Sequence, residues 1–195
     1  MATSATPMGA EPVGTLSASG SFTGKVRHIK IANAYGTAIF YGDFVKLVSS
    51  GTVEKASFTT SVAAGIVGVF VGCSYTDPST NQMTFNQQFP ASTAADDIMA
   101  YVVDDPKLLF QMQADEAVAQ TGLGNNISAV MTAGSTAIGR SKNALDGGSI
   151  ATTNTLPLRV VDFVDGPNST VGDAFTDCIV TYLPLSHAYE TKLGV

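Results

Sequence analysis

The chain of 195 residues carries 16 acidic and 10 basic side chains, a net charge of -6, and 45% of it is hydrophobic. That is enough apolar material for a buried core and too much for a disordered chain. Only 13% of the residues are charged, half the usual share of about 25%, so the surface must be covered by Ser, Thr, Asn, Gln and Gly or be partly buried in an assembly. Duplex nucleic acid is a poor partner for so acidic a chain, because affinity there comes from Lys and Arg displacing counterions. The one basic cluster, Lys25, Arg27 and Lys30, reads instead as a polar strand edge or a patch that meets an acidic protein surface. The longest apolar stretch, residues 62–73, is broken by Gly65, Gly68 and Gly72 and is too short to cross a bilayer. Residues 1–10 show neither a basic start nor an apolar run, so no signal peptide is expected and the chain is expected to stay in the cytoplasm until it assembles.

Residues 1–24 read as an extended N-terminal arm, with Pro7, Pro12 and four glycines among Ser, Thr and Ala. Val13, Leu16 and Phe22 are its only sizeable apolar anchors after Met8. Residues 25–195 follow as one β-rich domain. A first strand is expected over 26–32. Two strand pieces, 37–41 and 44–48, surround a kink at Gly42, which has no Cβ to clash. A turn at 49–51 leads to a returning strand over 52–56. The apolar, glycine-punctuated run 66–73 has the pattern of a strand buried on both faces. Asp77, Pro78 and Asn81 mark a hairpin tip, and 83–85 returns from it. Strands are expected over 98–103 and 108–113. In the latter Leu108, Phe110 and Met112 alternate with Gln111 and Gln113, the sign of a half-buried strand. Residues 115–123 form the best short-helix candidate, with Asp115 as cap and Gly122 or Gly124 as stop. Further strands are expected over 127–131, 149–152, 156–164 and 177–183. The sum is a mainly β protein: an antiparallel β-barrel or sandwich with one short helix and an extended N-terminal arm.

A search for chemistry finds little. The two histidines, His28 and His187, have no Cys or metal-ligand spacing around them. Ser186-His187 lacks a nucleophile elbow, and His187 is expected to face solvent. Asp96-Asp97 and Asp104-Asp105 are adjacent pairs, which point to opposite faces of a strand and do not make an acid–base couple. Cys73 and Cys178 sit in apolar runs and are expected as two buried thiols. One weak cation signal remains: Asp162, Asp165, Asn168 and Asp173 crowd a glycine-containing loop, and hard oxygen ligands of that kind could hold Ca²⁺. No cofactor, no catalytic residue and no enzymatic activity are expected.

The order of segments resembles the capsid decoration (cement) proteins found with the major capsid protein in marine tailed bacteriophages. The likeness is carried by residues 29–35 (Ile-Lys-Ile-Ala-Asn-Ala-Tyr), 39–48, 72–78 (Gly-Cys-Ser-Tyr-Thr-Asp-Pro), 100–106 (Ala-Tyr-Val-Val-Asp-Asp-Pro), 123–126 and 156–166. The resemblance implies a head-stabilising role on the capsid surface, commonly as a homotrimer, with the major capsid protein as partner. Synthesis in the host bacterial cytoplasm is expected, and the acidic balance and short apolar runs leave no nucleic acid and no membrane among the expected partners. Val13, Leu16, Phe22, Lys25, Arg27 and Lys30 are the residues expected to touch the capsid. Another virion component of the tail, head–tail or minor capsid kind, and a carbohydrate-binding β domain, are the alternatives. The absence of Trp argues against the last.

Overall fold

The computed structural model describes residues 4–17, 22, 24–57 and 65–190. Parts of the expected arm (1–3, 18–21 and 23), the 62–64 end of the apolar run and the 191–195 end of the tail therefore lie outside the described residues. Among the described residues twelve strands follow in chain order: β1 (Glu11–Thr15), β2 (Arg27–Lys30), β3 (Phe44–Leu47), β4 (Val53–Lys55), β5 (Ile66–Thr76), β6 (Met83–Asn86), β7 (Met99–Val103), β8 (Leu108–Gln113), β9 (Asn126–Val130), β10 (Ala144–Ala151), β11 (Leu158–Phe163) and β12 (Asp177–Tyr182). They build two antiparallel sheets, which resolves the barrel-or-sandwich expectation as a sandwich. The first sheet runs β1-β8-β12-β11-β9-β10, and the second runs β2-β7-β5-β3-β4 with β6 added to the far half of β5.

The alternation of β8 does what its pattern requires. Leu108, Phe110 and Met112 are buried against the second sheet, while Leu109, Gln111 and Gln113 face outward and are half covered. β5 is the spine of the second sheet and has a core on each side. Ile66 and Val69 point into the core between the sheets, whereas Val67, Phe70, Cys73 and Tyr75 point into a second core. Irregular chain covers that second core, contributing Ile31, Ile39, Phe89 and Ile98.

Part of the expected arm is built into the fold. β1 pairs with the edge of β8, and its register slips between Pro12 and Gly14. Upstream, the Ala10 amide donates to the Gly42 carbonyl at 2.9 Å. Gly42 has φ +86, and a Cβ there would lie 2.8 Å from the Met8 carbonyl oxygen. The kink expected at Gly42 is thus the seat of residues 8–10, and a side chain would evict them.

The expected helix over 115–123 does not form. Its amides are claimed by neighbouring chain: Asp115 N–H donates to the Leu145 carbonyl and Val118 N–H to the Thr176 hydroxyl. Only Gln120–Gly122 closes a single 3-10 turn. Among the described residues no helix is long and apolar enough to cross a membrane.

Candidate functional site: a cleft, an uncovered sheet face and a buried carboxylate

Where the arm rejoins the domain, a cleft of about 370 Å³ opens between Phe22, Lys25 and Arg27 on one side and Asp104, Pro106 and Tyr189 on the other. Three of the six expected contact residues converge here. Asp104 closes strand β7 and is buried. Its carboxylate pairs with Arg27 Nε at 2.7 Å, and the Arg27 guanidinium donates to the Tyr189 hydroxyl at 3.0 Å while lying over its ring. Burial raises the Tyr189 pKa, with the Asp104 charge adding to the effect and Arg27 opposing it. Lys25 is exposed on the rim. Val13 and Leu16 are 44% and 49% exposed, outside the cleft. Lys30 belongs to a different surface.

That surface is an overhang of the second sheet. Across β2, β7, β5 and β6 the register places Lys30, Met99, Ser74 and Phe85 in one row, and directly opposite residues share a face. Along β7, Met99, Tyr101 and Val103 alternate onto that same face. Val103 is covered by the first sheet, Tyr101 is half covered, and Met99 is open. The opposing sheet therefore ends before the face does. Phe85 is 73% exposed, Met83 61% and Met99 39%, with the His28 ring against Tyr101 at 4.5 Å. Sequence reading missed this patch. Met83 and Phe85 alternate with Thr84, but nothing in that pattern says that the apolar side is the open one.

A buried carboxylate is the third feature. Asp43 has no exposed surface. Its Oδ1 accepts from Ser141 Oγ at 2.7 Å and Asn143 Nδ2 at 3.0 Å. Its Oδ2 accepts from the Phe40 amide at 2.9 Å and pairs with Lys55 Nζ at 2.8 Å. Every lone pair is used, which is the condition for burying a charge at all. In the sequence it is a lone Asp inside an apolar run, Ile39 to Val48, beside the kink residue Gly42, and nothing local announces its partners.

The calcium expectation gains no cluster. Among the described residues, the one group of His, Cys, Asp or Glu drawn together is Asp115, Glu116 and Asp146, with ligand atoms within 4.8 Å of one another. Asp162, Asp165 and Asp173 are not gathered with one another. Asp173 accepts from the Thr170 amide within its own turn, and Asp162 from the Phe163 amide. Asp115 accepts from the Gly147 amide of β10 at 3.0 Å, so part of the acidic group is tied to a strand.

His187 corrects another expectation: it is fully buried, not solvent-facing. Residue 187 bridges to Ile66 at the start of β5, and its ring lies 5.2 Å from those of Tyr182 and Tyr189. Its Nδ1 accepts from the Tyr189 amide at 3.3 Å, so that nitrogen is not held by a carboxylate as a triad requires. Burial lowers its pKa, against the opposing pull of Glu190, the Val67 backbone, Asp104 and Asp105. Cys73 and Cys178 are free, buried thiols, and burial pushes both up to about 12. The nearby Asp177 charge adds to the effect on Cys178.

Compared with protein-family models, curated proteins and solved structures, the chain matches none of them.

Proposed function

We propose that this protein is a non-catalytic decoration protein, a homotrimer that docks on the outer surface of a tailed-phage head and stabilises it against packed DNA. The observation that carries the reading is the uncovered sheet face. A chain so poor in charge leaves Phe85, Met83 and Met99 open together on one face, and clustered apolar exposure of that kind marks a surface meant for a protein partner. The cleft at the foot of the arm supplies a second contact region, where Lys25 can meet an acidic group on the major capsid protein. The likeness of the sequence to marine phage decoration proteins points to the same role.

The physics of such a role is mass action. A protein that binds only the intact shell favours it by RT ln(1 + [L]/Kd) per site, about 2.7 kcal/mol when the free protein is a hundredfold above Kd. One oligomer bridging adjacent capsid subunits gains further from effective concentration, so weak single contacts suffice.

The test is made on particles. Heads stripped of the protein should release DNA at a lower temperature than complete ones, and adding purified protein back should restore them. The Phe85→Ser/Met83→Ser variant should fold, stay soluble and fail to restore them. Stripped heads as heat-stable as complete ones would remove the stabilising role, and full rebinding by the double variant would remove the sheet face from it.

A further inference from the structure

We propose that Lys55 and Asn143 become joined by an isopeptide bond formed on the Asp43 carboxylate. This inference is independent of any capsid role. Three side chains carry it, brought together from distant parts of the chain. Asp43 and Asn143 have no exposed surface, and the Lys55 side chain is 17% exposed. The amine and the carboxamide sit on the two oxygens of one carboxylate, Nζ at 2.8 Å from Oδ2 and Nδ2 at 3.0 Å from Oδ1. The amide carbonyl of Asn143 is itself engaged, since Oδ1 accepts from the Thr132 backbone amide at 3.0 Å. The Phe40 ring lies 5.7 Å from Nζ and lines the amine's surroundings with apolar surface.

A carboxylate that holds a nucleophile and a leaving group at once can move the protons between them. Nζ passes a proton to Asp43 Oδ2 and, as a neutral amine, attacks Cγ of Asn143. The charge that gathers on Asn143 Oδ1 is received by the Thr132 N–H, placed as an oxyanion donor is placed. Asp43 then gives its proton to Nδ2, the Cγ–Nδ2 bond breaks, and ammonia leaves. The new Nζ–Cγ amide loses its extra proton to Asp43, which passes it to the departing ammonia. Amine plus carboxamide thus become secondary amide plus ammonium, with no oxidant, metal or other co-reactant. Burial also shields the product from hydrolysis. The bond would tie β4 of the second sheet to the chain entering β10 of the first.

The experiment is intact-mass spectrometry of the full chain after prolonged incubation at neutral pH, followed by proteolysis and fragmentation. The expected result is a protein lighter by one ammonia, with the peptides bearing Lys55 and Asn143 linked. The Lys55→Arg and Asn143→Ala variants should each keep their full calculated mass. Lys55→Arg retains a cation for Asp43, which preserves the fold as the test is made. An unchanged wild-type mass would overturn the proposal. So would loss of one water in place of ammonia, which would join Lys55 to Asp43 instead. Loss of ammonia that persists in Lys55→Arg would overturn it as well.

Discussion

The two cores on either side of the second sheet are built differently. The core between the sheets is walled by strands on both sides, so Phe44 packs edge to face on Phe110 and Tyr182 on backbones already fixed by ladders. The other core has a sheet below and irregular chain above. There the cover is fastened by single devices. Ile39 and Phe89 exchange two backbone hydrogen bonds, Asn33 donates to Asp96, and Asp43 pins the chain beside Gly42. A core with one regular wall needs polar fasteners where a core with two relies on its ladders, because irregular backbone must satisfy its own amides.

The comparison can be broken most severely at Asp43. Asp43→Ala strands Lys55 in a mostly buried site and leaves Ser141, Asn143 and the Phe40 amide without their acceptor. Losing one partner of a buried ion pair costs about 3–5 kcal/mol, and urea titration should show at least that. Truncating one phenylalanine in each core is the sharper test. Phe→Ala costs about 3–5 kcal/mol depending on how far the site collapses. Phe110→Ala, between rigid sheets, should fall at the upper end and Phe89→Ala, under irregular chain, at the lower. Equal midpoint shifts would mean that the loop cover is as stiff as a sheet.

Gly68→Ala probes the strand that both cores share. Its Cβ would lie 2.1 Å from the Val103 carbonyl oxygen, a backbone atom that cannot turn aside, and overpacking of this kind costs about 1–3 kcal/mol. His187 gives a smaller, pH-dependent effect. Its folded pKa is lowered by burial, so the unfolded chain binds more protons in the window below the ordinary histidine pKa of about 6.5. Stability from this group is complete above that pH and falls on acidification towards the folded pKa. His187→Asn should flatten that part of the pH–stability curve. The smallest effect is expected at Phe85→Ser, on the open face, where thermal stability should change by no more than about 0.5 kcal/mol.

How much of this was legible depends on which force holds each segment. β8 and β5 are held by side-chain burial, so alternation and a continuous apolar run announced them and their different environments. β1 is held mainly by backbone bonds to β8, and its Val13 faces solvent, so residues 11–15 carried no apolar pattern and read as arm. The 115–123 segment had helix-like ends. Its amides found partners on Leu145 and Thr176, at distances along the chain that no local pattern encodes. The burial of His187 comes from pairing with Ile66, equally remote. The candidate site was half legible. Phe22, Lys25 and Arg27 do gather, but their partners Asp104 and Tyr189 come from elsewhere, and Asp43, Lys55 and Asn143 meet only once both sheets are assembled.

Two cores suggest two folding units, but β5 forbids the division. Its successive side chains enter opposite cores, so neither can melt while the other keeps this strand in place. Heat or denaturant should therefore dissolve both in one cooperative transition, with amides of β5 among the last to exchange with solvent deuterium. The molecule gains from this a particular kind of robustness. Damage to either flank is felt by the whole, and partially open forms that would expose unpaired strands stay sparsely populated.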